Sequence, residues 1–381
     1  MVENNKKSTK YWENLVEKGE IESQINLKLE NLRLDYCKKL ISENINYNEH
    51  NGSSRLVIEE IENRVDFILA KHKTLTDRER QQKKNIFKLK FEENFRLVSK
   101  KKAYCKISFL AYPLYKFLIA FSSIIDEAIF RVKNNGLSTV CVDKSRESLV
   151  SLEIKNKDYL FLRDGEIGIN LNDLASIMKC NASDDSTAEL IFGENIIYIT
   201  IMSKKFNSVI KRTLSTIDLE AEDISMENFK KIQFISHFSL SKDKVNYLIK
   251  NSELYSQNIQ IRVDEKRVCF KENNKMGQGK IIWEKDNLEL IFIDFVAIQN
   301  ELANQNLDES EIKILEGIIS KRECCSCHPG SFLIHIGKVS NVLNKNELIN
   351  FQLREGSPLK IIVNIRSLGD TLVFFFVVPE S

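Results

Sequence analysis

From about residue 103 onward the chain changes to short runs in which apolar and polar positions alternate. Ile259, Ile261 and Val263 alternate with Gln260 and Arg262, and the same period of two returns between Leu359 and Ile365, which is the spacing of strands with one buried face. Two longer apolar stretches, Leu114 to Ile125 and Val245 to Leu254, have helical length and each leads into such strands. This order occurs twice. The first copy predicts a helix over 111–125, strands over 137–142 and 149–154, a helix over 171–179 and a strand pair around the turn at Gly193. The second predicts a helix over 242–254, strands over 259–263 and 268–270, a helix near 337–345 and strands over 348–353 and 359–365. Two copies of one α+β unit are the economical reading.

Between the copies, Asp218 to Glu227 is acidic and carries the isolated apolar residues Leu219, Ile224 and Met226, the usual look of an interdomain linker. The expected division is therefore a helical, charged N-terminal extension over 1–102, a first domain over 103–205, a linker over 206–228 and a second domain over 229–381. The extension has one apolar helix face through Ile25, Leu29, Leu32, Tyr36 and Leu40 and another through Ile58, Ile61, Val65, Ile68 and Leu69. The Asn-rich stretch from Asn44 to Ser54 lacks periodicity and predicts a connection. A basic segment follows, with Arg78, Arg80, Lys83, Lys84, Lys88, Lys90 and the triplet Lys100, Lys101 and Lys102. It offers phosphate contacts, but the interspersed Asp77, Glu79, Glu92 and Glu93 fit an ordinary solvated helix face better.

Composition narrows the picture only a little. With 381 residues, 43% of them hydrophobic, the chain can bury sizeable cores. Its net charge of +2 points neither toward nor away from nucleic acid. No apolar targeting segment follows Met1 and no run reaches membrane-spanning length, so a soluble intracellular protein is expected. Of eight cysteines, Cys37, Cys105, Cys141, Cys180 and Cys269 sit singly in hydrophobic patterns, as reduced thiols do.

Several stretches, in order, are similar to the proliferating cell nuclear antigen family of DNA sliding clamps. Residues 103–154 look like a gapless counterpart of its first strand, first helix and following hairpin, with Asn135-Gly136-Leu137 and the run from Asp143 to Val150. Gly168 to Cys180 resembles its second helix, Gly277-Gln278-Gly279 its second-domain glycine turn, and Pro358 to Pro379 its closing strands. The resemblance covers about 103–379. It implies a ring of three two-domain subunits, with sheets outside and helices lining a hole for duplex DNA. It implies no catalytic residues, no cofactor and no metal. The implied partners are double-stranded DNA without sequence preference, a DNA polymerase, a clamp loader, other proteins carrying clamp-binding peptides, and two further copies of the chain, with no membrane. The implied location is the nucleus, or a cytoplasmic replication site if the source is viral or archaeal.

Residue by residue, the resemblance implies inward-facing DNA contacts at Lys116, Lys179 and Lys250, with Lys338 as a fourth. Tyr115, Ser122 and Ser176 stand where further lysines are expected, which implies a less positive hole. For partner peptides the matching positions are Val142, Arg146 and Leu149, then Ile224 and Met226 on the linker, then Pro358 and Phe374. The aromatic run Phe374-Phe375-Phe376 and the displaced Pro379 depart from the family. The alternatives are a subunit of a heterotrimeric, checkpoint-type ring and a clamp fold used as a scaffold or transcription factor.

The stretch from about 286 to 331 is longer than the family pattern and holds Cys324-Cys325-Ser326-Cys327-His328. Thiolates and imidazole are zinc ligands. The spacing lacks paired CxxC units, so a loop with incidental thiols is the expectation and metal or redox chemistry the alternative.

Overall fold

The computed structural model describes residues 25, 28–29, 32, 52–71, 75–87, 103–179, 186–203, 205–220, 224, 226–252, 258–274, 277–303 and 307–379. The chain divides into two compact units, Met1–Ala103 and Tyr104–Ser381.

The first unit contains helix α1 (Gly52–Ala70) and helix α2 (77–87). Ile25, Leu29 and Leu32 are buried with Ile61, Val65, Leu69 and Phe87 in a small core, as both apolar faces require. Helix α1 starts inside the stretch expected to be a connection, because Gly52-Ser53-Ser54 forms its first turn instead of a loop. In the basic segment, Lys84 bonds Asp66 at 2.7 Å and Arg80 lies 3.4 Å from Asp77. Tyr36, Leu40, Lys88, Lys90 and the lysine triplet fall outside the described residues.

The second unit realises the duplication. Its first copy runs β1 (Cys105–Leu110), α3 (Ala111–Ser122), β2 (Glu127–Lys133), β3 (Gly136–Val142), β4 (Ser148–Ile154), β5 (Leu160–Phe161), β6 (Gly165–Asn170), α4 (Leu171–Ile177), β7 (Ser186–Phe192), β8 (Ile196–Ser203) and β9 (Ser208–Ser215). Helix α5 (Glu227–Lys231) then leads into the second copy: β10 (Ser236–Ser241), α6 (Lys242–Ser252), β11 (Asn258–Asp264), β12 (Arg267–Asn274), β13 (Gly277–Glu284) and β14 (Leu290–Ile293). Helices α7 (Phe295–Leu302) and α8 (Glu309–Lys321) follow, then β15 (Glu323–Pro329), α9 (Ser331–Ser340), β16 (Leu348–Leu353), β17 (Leu359–Ile365) and β18 (Thr371–Val377). Strands β1 and β10 each pass without a loop into a helix, and each is flanked in its sheet by the strands that follow at equivalent places: β5 and β7 beside β1, β14 and β16 beside β10.

Four expectations need correction. Residues 206–228 are not all linker, because Ser208–Ser215 pairs along β8 as a full strand; its exposed side chains hid its period of two. The helix expected near 337–345 is α9, which begins at Ser331 and ends at Ser340. The insertion is narrower than 286–331, since β14 and β15 belong to the repeat and only α7 and α8 replace the short β5–β6 turn of the first copy. The cysteine cluster is a strand, β15, rather than a loop.

The two copies share one nine-stranded sheet, ordered β14-β10-β16-β17-β18-β4-β3-β2-β6, in which β18 of the second pairs antiparallel with β4 of the first. Val373, Phe375 and Val377 on β18 and Val150 and Leu152 on β4 continue one core across that seam. Beside it, His335 on α9 lies 3.0 Å from Asp143, whose side chain is fully buried after β3, and Ser331 donates to Glu147. Burial alone would raise the Asp143 pKa, but hydrogen bonds from His335, Ser145 and the Ser148 N–H overcome it and hold the carboxyl at about 2. Because this pKa is depressed, the stabilisation is complete above the ordinary carboxylate range and is lost as pH falls through about 2. Asp143→Ala should cost about 3 kcal/mol at neutral pH by leaving His335 and its neighbours unpaired. Thermal melts of wild type and variant should converge at low pH; a constant difference from pH 7 to pH 2 would contradict the assignment.

Candidate nucleic-acid and partner surfaces

Four helices, α3, α4, α6 and α9, lie along the second unit, with α3 against both α4 and α9, and α6 against α9. Gly337 permits the last contact, since a Cβ there would stand 2.5 Å from Ile249 Cδ1. Of the four lysines expected to face DNA, two are already engaged. Lys116 Nζ donates to the Asn341 carbonyl at 2.9 Å, and Lys338 Nζ to the Ser123 carbonyl at 3.5 Å. Asn341 and Ser123 are the C-cap residues of α9 and α3, so each helix lends a lysine to the other's carboxyl end, where carbonyls lack partners and the dipole favours a cation. Lys242 joins this junction with bonds to the Asn341 and Leu343 carbonyls at 3.2 and 3.0 Å. Its pKa is lowered, first by burial and then by the Lys116 charge. Lys179 and Lys250 are exposed. Ile119 on α3, 46% exposed, and Tyr247 on α6, 56% exposed, interrupt the cationic surface.

On the opposite side of the sheet, alternation brings part of the expected peptide site together. Val142 pairs with Leu149, Leu149 with Phe376, and Phe376 with Lys360, forming one row across four strands. Phe374 lies in the next row on the same face, and Pro358 immediately precedes β17. Arg146 occupies the β3–β4 turn with φ 60°. Ile224 and Met226 are half-buried, Met226 as the N-cap of α5. One aromatic residue escaped the sequence reading: Phe229 on α5 packs on Phe376 with ring centroids 4.9 Å apart, leaving Phe376 only 3% exposed. The linker's first part lies over β2 and β3, where Leu219 and Glu220 join Ile129, Arg131, Val140 and Val142 around a cavity of about 220 Å3. It is anchored by a bridge from Ile217 to Gly168, where a Cβ would stand 2.2 Å from the Ile217 carbonyl oxygen.

The cysteine strand separates its own side chains. Cys324, Ser326 and His328 are buried, while Cys325 and Cys327 alternate to the other face, so period-two geometry keeps the set from converging on one ion. Burial raises the Cys324 pKa to about 12 and lowers that of His328 to about 4, and His328 Nε2 lies 3.0 Å from Ser326 Oγ. Among the described residues no group of three or more His, Cys, Asp or Glu side chains is placed to hold a metal, and no helix is long and apolar enough to cross a membrane.

Each of the three sheets ends in strands with one side unpaired among the described residues, and two of these edges are β9 and β13. Strand β9 ends the five-stranded sheet β5-β1-β7-β8-β9, and β13 ends the four-stranded sheet β13-β12-β11-β15. Both expose apolar side chains beside the charged Lys211, Arg212 and Lys280, more apolar surface than an open edge usually shows: Val209 is 59% exposed, Ile210 43% and Ile282 39%. The sequence hid this surface, because Val209 and Ile210 fell in the expected linker.

Residues 110–225 match the family model described as "Proliferating cell nuclear antigen, N-terminal domain". The proliferating cell nuclear antigen of Saccharomyces cerevisiae is 25% identical over 175 residues, covering 44% of this chain and 66% of the yeast protein. A DNA polymerase sliding clamp of Methanococcus maripaludis is 24% identical with the same coverage, and a probable DNA polymerase sliding clamp of Paramecium bursaria Chlorella virus 1 is 24% identical over 45% of this chain and 63% of its own. The match thus spans just under two thirds of each relative's length. Among solved structures, proliferating cell nuclear antigens of Thermococcus kodakaraensis and Entamoeba histolytica superpose over their whole length and 72% and 73% of this chain. Both give TM-scores of 0.57, at 16% and 18% identity, a likeness of fold.

Proposed function

We infer that this chain, a member of the proliferating cell nuclear antigen family, acts as a DNA sliding clamp: three copies close into a ring around duplex DNA and tether a polymerase and other replication and repair proteins to it. The observation that carries the reading is the pair of open edges. Within the chain, β18 of the second repeat joins β4 of the first, with Thr371 opposite Ile154 and Val377 opposite Ser148. Strand β9 is the first-repeat counterpart of β18, and β13 the second-repeat counterpart of β4. Carrying the same register onto the open edges puts Ser208 opposite Trp283 and Leu214 opposite Gly277 of a second copy. Val209 then meets Ile282, and Ile210 meets Ile281, extending the core row that Ile201 begins.

In such a ring the helix layer faces DNA. Contacts from Lys250 and its neighbours fall on phosphates and carry no sequence information, so the ring holds without stopping. The chain performs no chemistry; it acts by effective concentration, converting polymerase release into a local excursion. Partner peptides would dock on the outer face near Val142, Leu149, Pro358 and Phe374, beneath the linker residues Ile224 and Met226. The place of action is the site of DNA replication, the nucleus in a cell that has one.

One observation favours a second reading. The transferred register sets Lys211 opposite Lys280, a like-charged pair that a differently charged partner chain would relieve. Sedimentation of the purified chain separates the two: a species of three copies supports the self-closed ring, whereas a persistent monomer assigns the chain to a ring of unlike subunits.

A further inference from the structure

We propose that Lys360 receives a carboxylate of the docking segment, so that partners are chosen by an Asp or Glu side chain set beside their apolar anchors. The proposal rests on the reading of this sheet face as the partner surface and adds what that surface selects. The row that runs from Val142 through Leu149 and Phe376 to Lys360 continues across three more strands. Lys360 pairs with Gln352 of β16, Gln352 with His237 of β10, and His237 with Phe292 of β14, which puts Lys360 in the middle of the row. Its Nζ lies 5.6 Å from the ring centroids of Phe234 and Phe374 and 5.8 Å from that of Phe376. Phe229 closes over Phe376 from α5.

Ring faces attract an ammonium, but they leave its three N–H donors without an acceptor oxygen. Other cations withdrawn from solvent in this unit have one: Lys106 reaches Glu189 at 2.6 Å, Arg354 reaches Glu301 at 2.7 Å, and Lys242 bonds two carbonyls. Among the described residues Lys360 reaches none, and burial lowers its pKa with no carboxylate to offset it. The neighbouring His237 adds no second cation. Its Nε2 donates to the Phe234 carbonyl at 3.1 Å, and burial above all lowers its pKa. A half-buried ammonium is costly to leave unpaired. A carboxylate arriving there is held more strongly than at an exposed lysine, because the aromatic wall lowers the local dielectric.

The surroundings fit a peptide segment. Val142 and Phe374 are half-buried and Phe292 is 39% exposed on the same face, apolar places for side chains on either side of the carboxylate. Asp218 and Glu220 of the linker and Glu227 of α5 are exposed and disfavour a broadly acidic segment. The site therefore selects one carboxylate in register with apolar anchors.

The test measures fluorescence anisotropy of short labelled peptides with Leu and Phe anchors one helical turn apart, in which each remaining position is in turn Asp or Asn. They are titrated with full-length wild type, Lys360→Met and Lys360→Glu. At one position wild type should bind the Asp peptide roughly tenfold more tightly than the Asn peptide, the worth of a charge-assisted hydrogen bond. Lys360→Met should bring the Asp peptide down to the affinity of the Asn peptide. Lys360→Glu should prefer Lys over Asp at that same position, a reversal that a misfolded protein cannot show. Binding of the peptides by wild type with no preference for Asp, or a preference that survives Lys360→Met, would overturn the carboxylate site and leave the docking reading standing. Absence of binding to wild type by every peptide would overturn the docking reading, and the carboxylate site with it.

Discussion

Ile210→Asp is expected to abolish assembly between copies while leaving residues 104–381 folded. In the single chain this side chain is 43% exposed on an edge strand, so a carboxylate there stays hydrated and costs the fold little. In the ring it would face Ile281 in the extended core row, and burying an unpaired carboxylate costs several kcal/mol at each of three seams. That exceeds what a short sheet edge can return. The variant should sediment near the 44.2 kDa of one chain, with an unchanged melting temperature for its folded unit, and should not remain on circular DNA. A variant that assembles like wild type would mean that β9 is not the joining edge.

The second large effect is a gain. The repeat places Ile119 of α3 where α6 carries Lys250, both as the ninth residue of helices that follow β1 and β10. An isoleucine 46% exposed on that layer contributes nothing to phosphate binding. Ile119→Lys should therefore add one cation per copy, three per ring, and steepen the dependence of log affinity on log salt by about 3, at roughly 0.9 per phosphate contact. At low salt the variant should be held more tightly than wild type, and at high salt the two should converge. An unchanged salt slope would show that this face of α3 does not look onto DNA.

How much of this was legible in the sequence depended on whether a residue's neighbours lie along the chain or across it. The repeat was legible because its signal is local: strands with one buried face, such as Ile259 to Val263, alternate visibly, α3 is apolar, and α6 shows an amphipathic spacing of Val245, Leu248 and Ile249. Strand β9 was not legible, because Val209 to Thr213 are exposed in the single chain and leave the strand without a buried face, so Ser208 to Ser215 looks like linker. The cysteine cluster was misjudged as a loop because thiols and a histidine carry no clear period, although Cys324, Ser326 and His328 fall on one side and Cys325 and Cys327 on the other.

The site residues divide in the same way. Lysines on the helices were identifiable as a class, but their duties were not. Lys116 and Lys338 bond carbonyls far away in sequence, at the ends of α9 and α3, and no spacing rule encodes a cap supplied by a different helix. On the sheet face away from the helices, Val142, Leu149 and Phe374 share one side, while the cover over Phe376 comes from Phe229, a contact set by how the chain returns after the linker. The helical insertion announced itself by length, but its ends were blurred because β14 and β15 carry weak patterns.

Encirclement itself is tested most directly by closing the seam covalently. Lys211 and Lys280 stand opposite each other in the transferred register on the solvent face, so the double variant Lys211→Cys, Lys280→Cys should oxidise into a closed three-copy species when assembled on nicked circular DNA. The account predicts that this species stays with the circle in strong denaturant and is released by a single cut that linearises the DNA. Protein that leaves the circle on denaturation, despite complete cross-linking, would contradict it.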